Sequence, residues 1–451
     1  MILTHCPACA APLHSTNAKQ CSRCKTRYCG LACQKQHWEG GGHDKLCKLI
    51  KKSGGAEQFH ADTKYTAAVA VAAKECAEDT KGQTCYICTQ ALHWKTKEGL
   101  VRMCACRGTA GFAHVSCLAE QAKILVAEAE ENNLDWKVQN DRFQRWHTCG
   151  LCEQMYHGVV ECALSWACWK TYVGRPEDDW AYNVAISVLG NGLASARHHK
   201  ESLSVREAEL SMLLRTNGSQ HNILVVQGNL AIAYEALGQH EEVLRMRRKI
   251  YSGWLKLYGE EHFDTLREAN NLASSLLDLQ RFEEAKSLLR RTLPVARRVG
   301  TSDELTLKMN WIYARVLYRD ADATLDDLRE AVSKHEELER TARRVLGGAH
   351  PDAVGIEKSL RDARAALRAR EAEAVRVADR AAAGALQRDL YALRRRFELA
   401  CEAGTVQVAE RDALQRDLDA IQRRLEAREA PFSGVVSSIC EAVGALAPGD
   451  A

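Results

Sequence analysis

The chain has 451 residues, enough for two to four domains. Its 62 Lys and Arg against 59 Asp and Glu leave a formal charge of only +3, which excludes a strong general field for nucleic acid or membrane. Nineteen cysteines are many, but 17 precede residue 170 and 14 fall into Cys-x(1–4)-Cys or His-x(2–3)-Cys spacings. Such clustering reads as zinc in a reducing compartment, not as a disulfide framework. The start, Met1-Ile2-Leu3-Thr4-His5-Cys6, reaches a candidate ligand at once and shows no signal peptide. No run of about 18 apolar residues is present to span a bilayer. A soluble protein of the cytoplasm or nucleus is expected.

Residues 1–50 carry Cys6-x2-Cys9-x11-Cys21-x2-Cys24-x4-Cys29-x3-Cys33, then His43-x3-Cys47. Zinc takes four tetrahedral N or S ligands, and a two-residue gap lets a tight turn present two of them to one ion. His43 and Cys47 are one helical turn apart and share a face, with His37 as a nearby rival. With Tyr28-Cys29 and Cys33-Gln34-x3-Trp38, this segment resembles a MYND finger. That resemblance implies interleaved sites: Cys6, Cys9, Cys29 and Cys33 on one zinc, Cys21, Cys24, His43 and Cys47 on the other. MYND fingers bind short proline-containing peptides, and Gln34 and Trp38 match the positions that line the groove. The alternative for Trp38 is to cover a zinc and pack the small core. The module is rich in Lys and Arg, but part of that charge offsets the surplus negative charge of the metal sites, and no nucleic-acid partner is expected.

Residues 51–80 read as a linker: Ser53-Gly54-Gly55 breaks regular structure, and the alanine-rich stretch from Thr66 to Ala77 predicts a single helix. Cys76 has no partner at ligand spacing. Residues 81–175 hold eight further candidate ligands in the order Cys85-x2-Cys88, Cys104-x-Cys106, His114-x2-Cys117 and Cys149-x2-Cys152. The order, and the Cys104-Ala105-Cys106-Arg107-Gly108-Thr109 core, resemble the RING-CH (RING-variant) finger of ubiquitin ligases. The resemblance implies Cys85, Cys88, His114 and Cys117 on one zinc, and Cys104, Cys106, Cys149 and Cys152 on the other. Two fingers then hold four zinc ions. In RING fingers a bulky aliphatic residue inside the first pair touches the conjugating enzyme; here that residue is Ile87, with core filling as the alternative. The family's usual tryptophan four residues after the His-Cys pair is replaced by Gln121, and 31 residues separate Cys117 from Cys149. The stretch from Leu118 to Asn132 predicts a helix. Trp166, Trp169 and Tyr172 predict an apolar helix that docks the finger onto the next domain.

Residues 176–352 repeat. Asn229-Leu230-Ala231 recurs as Asn271-Leu272-Ala273, and Gln239-His240-Glu241-Glu242-Val243 as Arg281-Phe282-Glu283-Glu284-Ala285, both 42 residues on. A period near 40 with two apolar-periodic helices per unit implies an α-solenoid. It resembles the tetratricopeptide repeats of kinesin light chains, in four units. In related repeats asparagines at the positions of Asn229 and Asn271 face the concave groove and hold a peptide backbone; bridging of neighbouring helices is the alternative. His262 and His350 are expected to cap loops.

Residues 353–430 place Leu386, Leu390, Leu393 and Phe397, then Leu414, Leu418, Ile421 and Leu425, in one heptad register, predicting a coiled coil. Gly404 permits a hairpin; pairing with a second chain is the alternative. Residues 431–451 form a tail. The fold expected is mostly α: two small zinc modules, a solenoid of helix pairs and a C-terminal coiled coil. The function implied is a RING-CH-type ubiquitin-protein ligase. It would orient a charged conjugating enzyme and recruit protein partners through the MYND finger and repeat grooves. The alternative is a non-enzymatic scaffold.

Overall fold

The computed structural model describes residues 3–11, 13, 18–300, 303–345, 350–402, 413 and 415–426. Gly404, Leu414, the stretch 346–349 and the tail 431–451 lie outside the described residues. The chain divides into two compact units, 1–301 and 302–451. It is mostly helical.

The first unit opens with a small module. A two-stranded antiparallel ribbon, β1 (Lys19–Gln20) and β2 (Arg27–Tyr28), is followed by helices α1 (Leu31–Glu39) and α2 (His43–Lys52). One face of α2 is buried, at His43, Cys47 and Ile50. Helix α3 (Ala56–Glu75) starts ten residues before the alanine-rich stretch that announced it. It does not dangle as a connector. Its Ala61 and Ala72 are fully buried, and small side chains there let it lie against a later helix, α6 (Gly158–Tyr172).

Helix α6 is the hub of this unit. A helix apolar on all sides must be covered on all sides. From Val160 to Trp169 every residue of α6 is buried, beneath α3, α4 (Val115–Glu131) and α7 (Trp180–Ser195). The long stretch between Cys117 and Cys149 supplies part of that cover. It forms α4, α5 (Trp136–Phe143) and a 3-10 turn at Gln144–Trp146. Phe143 and Trp146 are buried against Tyr172, and the Trp146 indole N–H donates to the Tyr172 hydroxyl at 3.3 Å. Arg175 grips the Glu130 carboxylate through two bonds of 2.8 and 3.0 Å, tying the end of α4 to the turn after α6.

Contact between α6 and α7 is close enough to require a glycine. A Cβ on Gly192 would stand 2.2 Å from Ser165 Oγ and 2.9 Å from the Glu161 carbonyl. Glu161 itself is buried in this seam, where the Ser195 hydroxyl reaches it, and burial raises its carboxyl above the ordinary 4.5. A carboxyl raised in the folded state stabilises the fold fully below its unfolded value, and that contribution is lost as pH climbs through the folded value. Glu161→Gln is therefore expected to melt at a higher temperature than wild type at pH 7, with the gap closing below about pH 4.5. Paired thermal melts across pH measure this; parallel curves at all pH values would refute it.

Six further helices continue as antiparallel neighbours: α7, α8 (His199–Arg215), α9 (Gln220–Ala236), α10 (His240–Tyr258), α11 (Phe263–Asp278) and α12 (Phe282–Arg298). A left-handed residue follows each, at Arg197, Asn217, Gly238, Gly259, Gln280 and Gly300, so the chain reverses in the same way every 20–21 residues. Caps are specific. Asp179 and Ser219 accept first-turn N–H groups of α7 and α9, and His262 Nδ1 accepts from Asp264 N at 3.2 Å. Buried Arg247 on α10 pairs with buried Glu268 on α11 at 3.2 Å, and buried Arg206 with Glu209 at 2.8 Å.

In the second unit α13 (Asp303–Arg319), α14 (Leu325–Val345) and the 52-residue α15 (Pro351–Glu402) pack together. Among the described side chains of α15 the buried ones lie near its start, at Ala353, Ile356, Ser359, Leu360 and Ala363. His350 Nδ1 accepts from Asp352 N at 3.1 Å, repeating the His262 cap.

Candidate metal centres

Four Cys-x2-Cys turns share one backbone device. The N–H after the second cysteine donates to the carbonyl of the first: Ala10 to Cys6, Lys25 to Cys21, Thr89 to Cys85 and Glu153 to Cys149, at 2.8–3.0 Å. All four donors are left-handed, with φ between 56 and 62°, although none is glycine. A second bond returns from the first cysteine's N–H to the residue after that donor: Cys6 to Ala11, Cys21 to Thr26, Cys85 to Gln90 and Cys149 to Gln154. The turn therefore aims two sulfurs at one point.

Each turn meets a second pair of side chains. Cys6 and Cys9 meet Cys29 and Cys33, at the start of α1; Cys21 and Cys24, on the β1–β2 turn, meet His43 and Cys47 of α2. Cys85 and Cys88 meet His114, which precedes α4, and Cys117 in its first turn. Cys104 and Cys106 meet Cys149 and Cys152. Within each group the ligand atoms lie within 4.8 Å of one another. Sulfur pairs such as Cys9–Cys29 at 3.5 Å, Cys106–Cys149 at 3.8 Å and Cys21–Cys47 at 3.9 Å have the edge length of a tetrahedron with Zn–S bonds of about 2.3 Å.

The histidines settle which nitrogen faces each centre. His43 turns Nε2 to Cys24 Sγ at 3.3 Å. His114 turns Nδ1 to Cys88 and Cys117 at 3.3 and 3.6 Å, while Nε2 lies 3.4 Å from the Ala91 carbonyl, the outer bond that fixes a ligating imidazole. His37 stands outside its cluster, with Nδ1 3.0 Å from the Tyr28 hydroxyl. Burial holds both His43 and His114 below the ordinary imidazole range, which favours the neutral ring a metal requires.

Thiol electrostatics fit the same occupant. Burial alone would raise Cys6, but backbone N–H groups of Cys29, Ala8 and Cys9 bring it down to about 6. Cys21 and Cys85 are also lowered, and Cys152 falls to about 7, in each case by local N–H donors outweighing burial. Their neighbours go the other way. Burial and adjacent thiols push Cys47 and Cys106 up to about 11, and the thiols of Cys33, Cys9 and Cys6 push Cys29 to about 12. Sulfurs this crowded resist losing their protons together unless a divalent cation compensates, so the donor sets fit zinc. They leave no open position for chemistry on the metal.

Gly111 shows how tight the second finger is. Its φ is +86°, and a Cβ there would lie 2.6 Å from Cys106 Cβ and 2.9 Å from its sulfur. Gly111→Ala is expected to lose one zinc per chain, read by native mass spectrometry. Retention of the full complement would show that the loop has room to yield.

Other residues singled out in the sequence stand apart from these clusters. Ile87 is 37% exposed, and its N–H donates to Cys85 Sγ at 3.4 Å. Leu151 occupies the matching place in the Cys149–Cys152 turn, with its N–H 3.5 Å from Cys149 Sγ, and is 52% exposed. Sequence reasoning passed over Leu151, although Cys-Gly-Leu-Cys repeats the pattern of Cys-Tyr-Ile-Cys. Gln34 is half-buried and Trp38 exposed. Gln121 is exposed on α4. Asn271 donates to Glu268 Oε2 at 3.1 Å and so joins the buried Arg247 network; Asn229 is half-buried on α9. Cys76, Cys162 and Cys168 are buried and belong to no metal cluster among the described residues.

A family model described as RING-variant domain matches residues 85–133, and one described as tetratricopeptide repeat matches residues 222–298. The chain thus contains a RING-variant domain and tetratricopeptide repeats. No curated protein matches it. Among solved structures it is similar to a kinesin light chain protein of Podosopora anserina with nearly identical TPR-like repeats, at 21% identity and a TM-score of 0.35, covering 42% of this chain and 88% of that one. It is also similar to BtubC (BKLC) from P. vanneervenii, at 13% identity and a TM-score of 0.39, covering 52% and 92%. No helix among the described residues is long and apolar enough to cross a membrane.

Proposed function

We propose that this chain is a RING-variant ubiquitin-protein ligase that acts by orientation. The observation that supports it best is the pair of interleaved clusters in the finger, one of three cysteines and a histidine and one of four cysteines, overlapping the RING-variant match. In this reading the sixteen clustered side chains hold four zinc ions, and the ions fix loops without taking part in bond making. Ile87 and Leu151, each presented to solvent by a rigid turn, contact the conjugating enzyme. A substrate lysine amine attacks the ubiquitin thioester carbonyl on that enzyme. The isopeptide bond forms, the enzyme's cysteine leaves as thiolate, and the amine's proton passes to solvent. Holding the thioester in one pose supplies the rate.

The remaining parts select partners. Residues 1–50 are a MYND finger whose Gln34 and Trp38 line a peptide groove. Residues 176–352 are repeats that take peptides, Asn229 contributing more directly than the engaged Asn271. Residues 353–430, of which 353–402, 413 and 415–426 are described, are assigned to a coiled coil on their heptad register. Leu418 and Leu425 are buried, and the turn at Gly404 that a hairpin needs lies outside the described residues. Exposed Gln121, where the family carries tryptophan, favours the second reading, a scaffold without ligase activity.

A panel of conjugating enzymes with the zinc-loaded chain separates the two readings. Ubiquitin chains formed by wild type and lost in Ile87→Ala support the ligase. No chains with any conjugating enzyme, from protein holding four zincs, leaves the scaffold.

A further inference from the structure

The near-zero charge of the whole chain hides a local imbalance. Residues 19–52 hold nine Lys and Arg against Glu39 and Asp44. A four-cysteine zinc site is doubly negative and a three-cysteine, one-histidine site singly so, which still leaves this module positive. Helix α2 concentrates the excess. While His43, Cys47 and Ile50 face inward, Lys45, Leu46, Lys48, Leu49, Lys51 and Lys52 are all exposed. At 3.6 residues per turn, Lys45, Lys48, Leu49 and Lys52 form the ridge opposite the buried face, with Leu46 and Lys51 on its flanks. Among the described residues, none of these four lysines enters an ion pair.

We propose that this ridge docks the chain on an anionic lipid surface. Charge complementarity asks for a polyanion, and three features favour a bilayer over an acidic peptide or a nucleic acid. The ridge is one convex helix with no groove to receive a backbone. All four cations are lysines, point charges on flexible stems, not the planar forks of arginine that read carboxylate or phosphate bidentately. Leu46 and Leu49, 38% and 52% exposed, stand among them. Apolar side chains gain by entering the boundary between headgroups and acyl chains, and have nothing to gain against a phosphate backbone. Each lysine close to an anionic leaflet contributes on the order of a fivefold gain in partitioning, screened by salt.

Co-sedimentation of the full zinc-loaded chain with phosphatidylcholine vesicles, with and without phosphatidylserine, tests this. Wild type should sediment only when phosphatidylserine is present, and less as salt rises. The triple variant Lys45→Gln, Lys48→Gln, Lys52→Gln should bind about a hundredfold more weakly. Leu46→Ser with Leu49→Ser should weaken binding even at low salt. All five side chains are exposed, so zinc content and helicity should match wild type in both variants. Failure of wild type to sediment at low salt, unchanged binding by the triple variant, or capture by RNA or an acidic peptide without vesicle binding would each overturn the proposal.

Discussion

Cys149→Ser is expected to lower bound zinc from four ions to three and to unfold the α4–α6 shoulder along with the finger. Cys149 is fully buried, sits three residues after Trp146, where the 3-10 turn ends, and closes the cluster with Cys104, Cys106 and Cys152. A structural zinc site contributes apparent binding free energy of roughly 10 kcal/mol or more, comparable with the whole stability of a domain. Losing it removes the anchor at one end of the segment that covers α6. The contrasting variant is Cys33→Ser in the first module, where Cys9 and Cys29 are exposed. It should also lose one zinc but leave the main melting transition in place. Native mass spectrometry and thermal unfolding read both effects. Cys149→Ser with an unchanged transition would show that finger and shoulder fold independently.

Ile87→Ala and Leu151→Ala are each expected to slow ubiquitin transfer by about tenfold or more, the cost of truncating a residue central to an interface. Both side chains ride on turns held by hydrogen bonds to cysteine sulfur, so little reorganisation should soften the loss. Zinc content should not change. Should Leu151→Ala alone transfer ubiquitin at the wild-type rate, the contact would rest on the first turn only.

Much of the candidate site was legible because zinc ligation is written in local spacing. A Cys-x2-Cys turn closes on itself through bonds between neighbours, so the pairs can be read without knowing the fold. The choice between His37 and His43 shows the same logic, since only His43 shares a helical face with Cys47. The repeats were legible as a period near 40. Other features depended on contacts far apart in sequence. The segment between Cys117 and Cys149 looked like an interruption of the finger, whereas Phe143 and Trp146 reveal it as cover for α6. The break at Ser53-Gly54-Gly55 marks where α3 can begin, but that the helix runs from Ala56, well ahead of the alanine-rich stretch, shows only in its packing against α6. Asn271 carries the repeat signature and lies one turn from Glu268, but the group that pairs with Glu268 in the interior, Arg247, is 21 residues away on the preceding helix.

The most direct test of the ligase reading is single-turnover discharge of a pre-charged conjugating enzyme onto free lysine, resolved on a non-reducing gel. Zinc-loaded wild type is predicted to accelerate loss of the thioester, with no ubiquitin thioester on any of its own cysteines, and Ile87→Ala is predicted to cut the acceleration about tenfold or more. Discharge at the uncatalysed rate with every conjugating enzyme, from protein holding four zincs, would contradict the account.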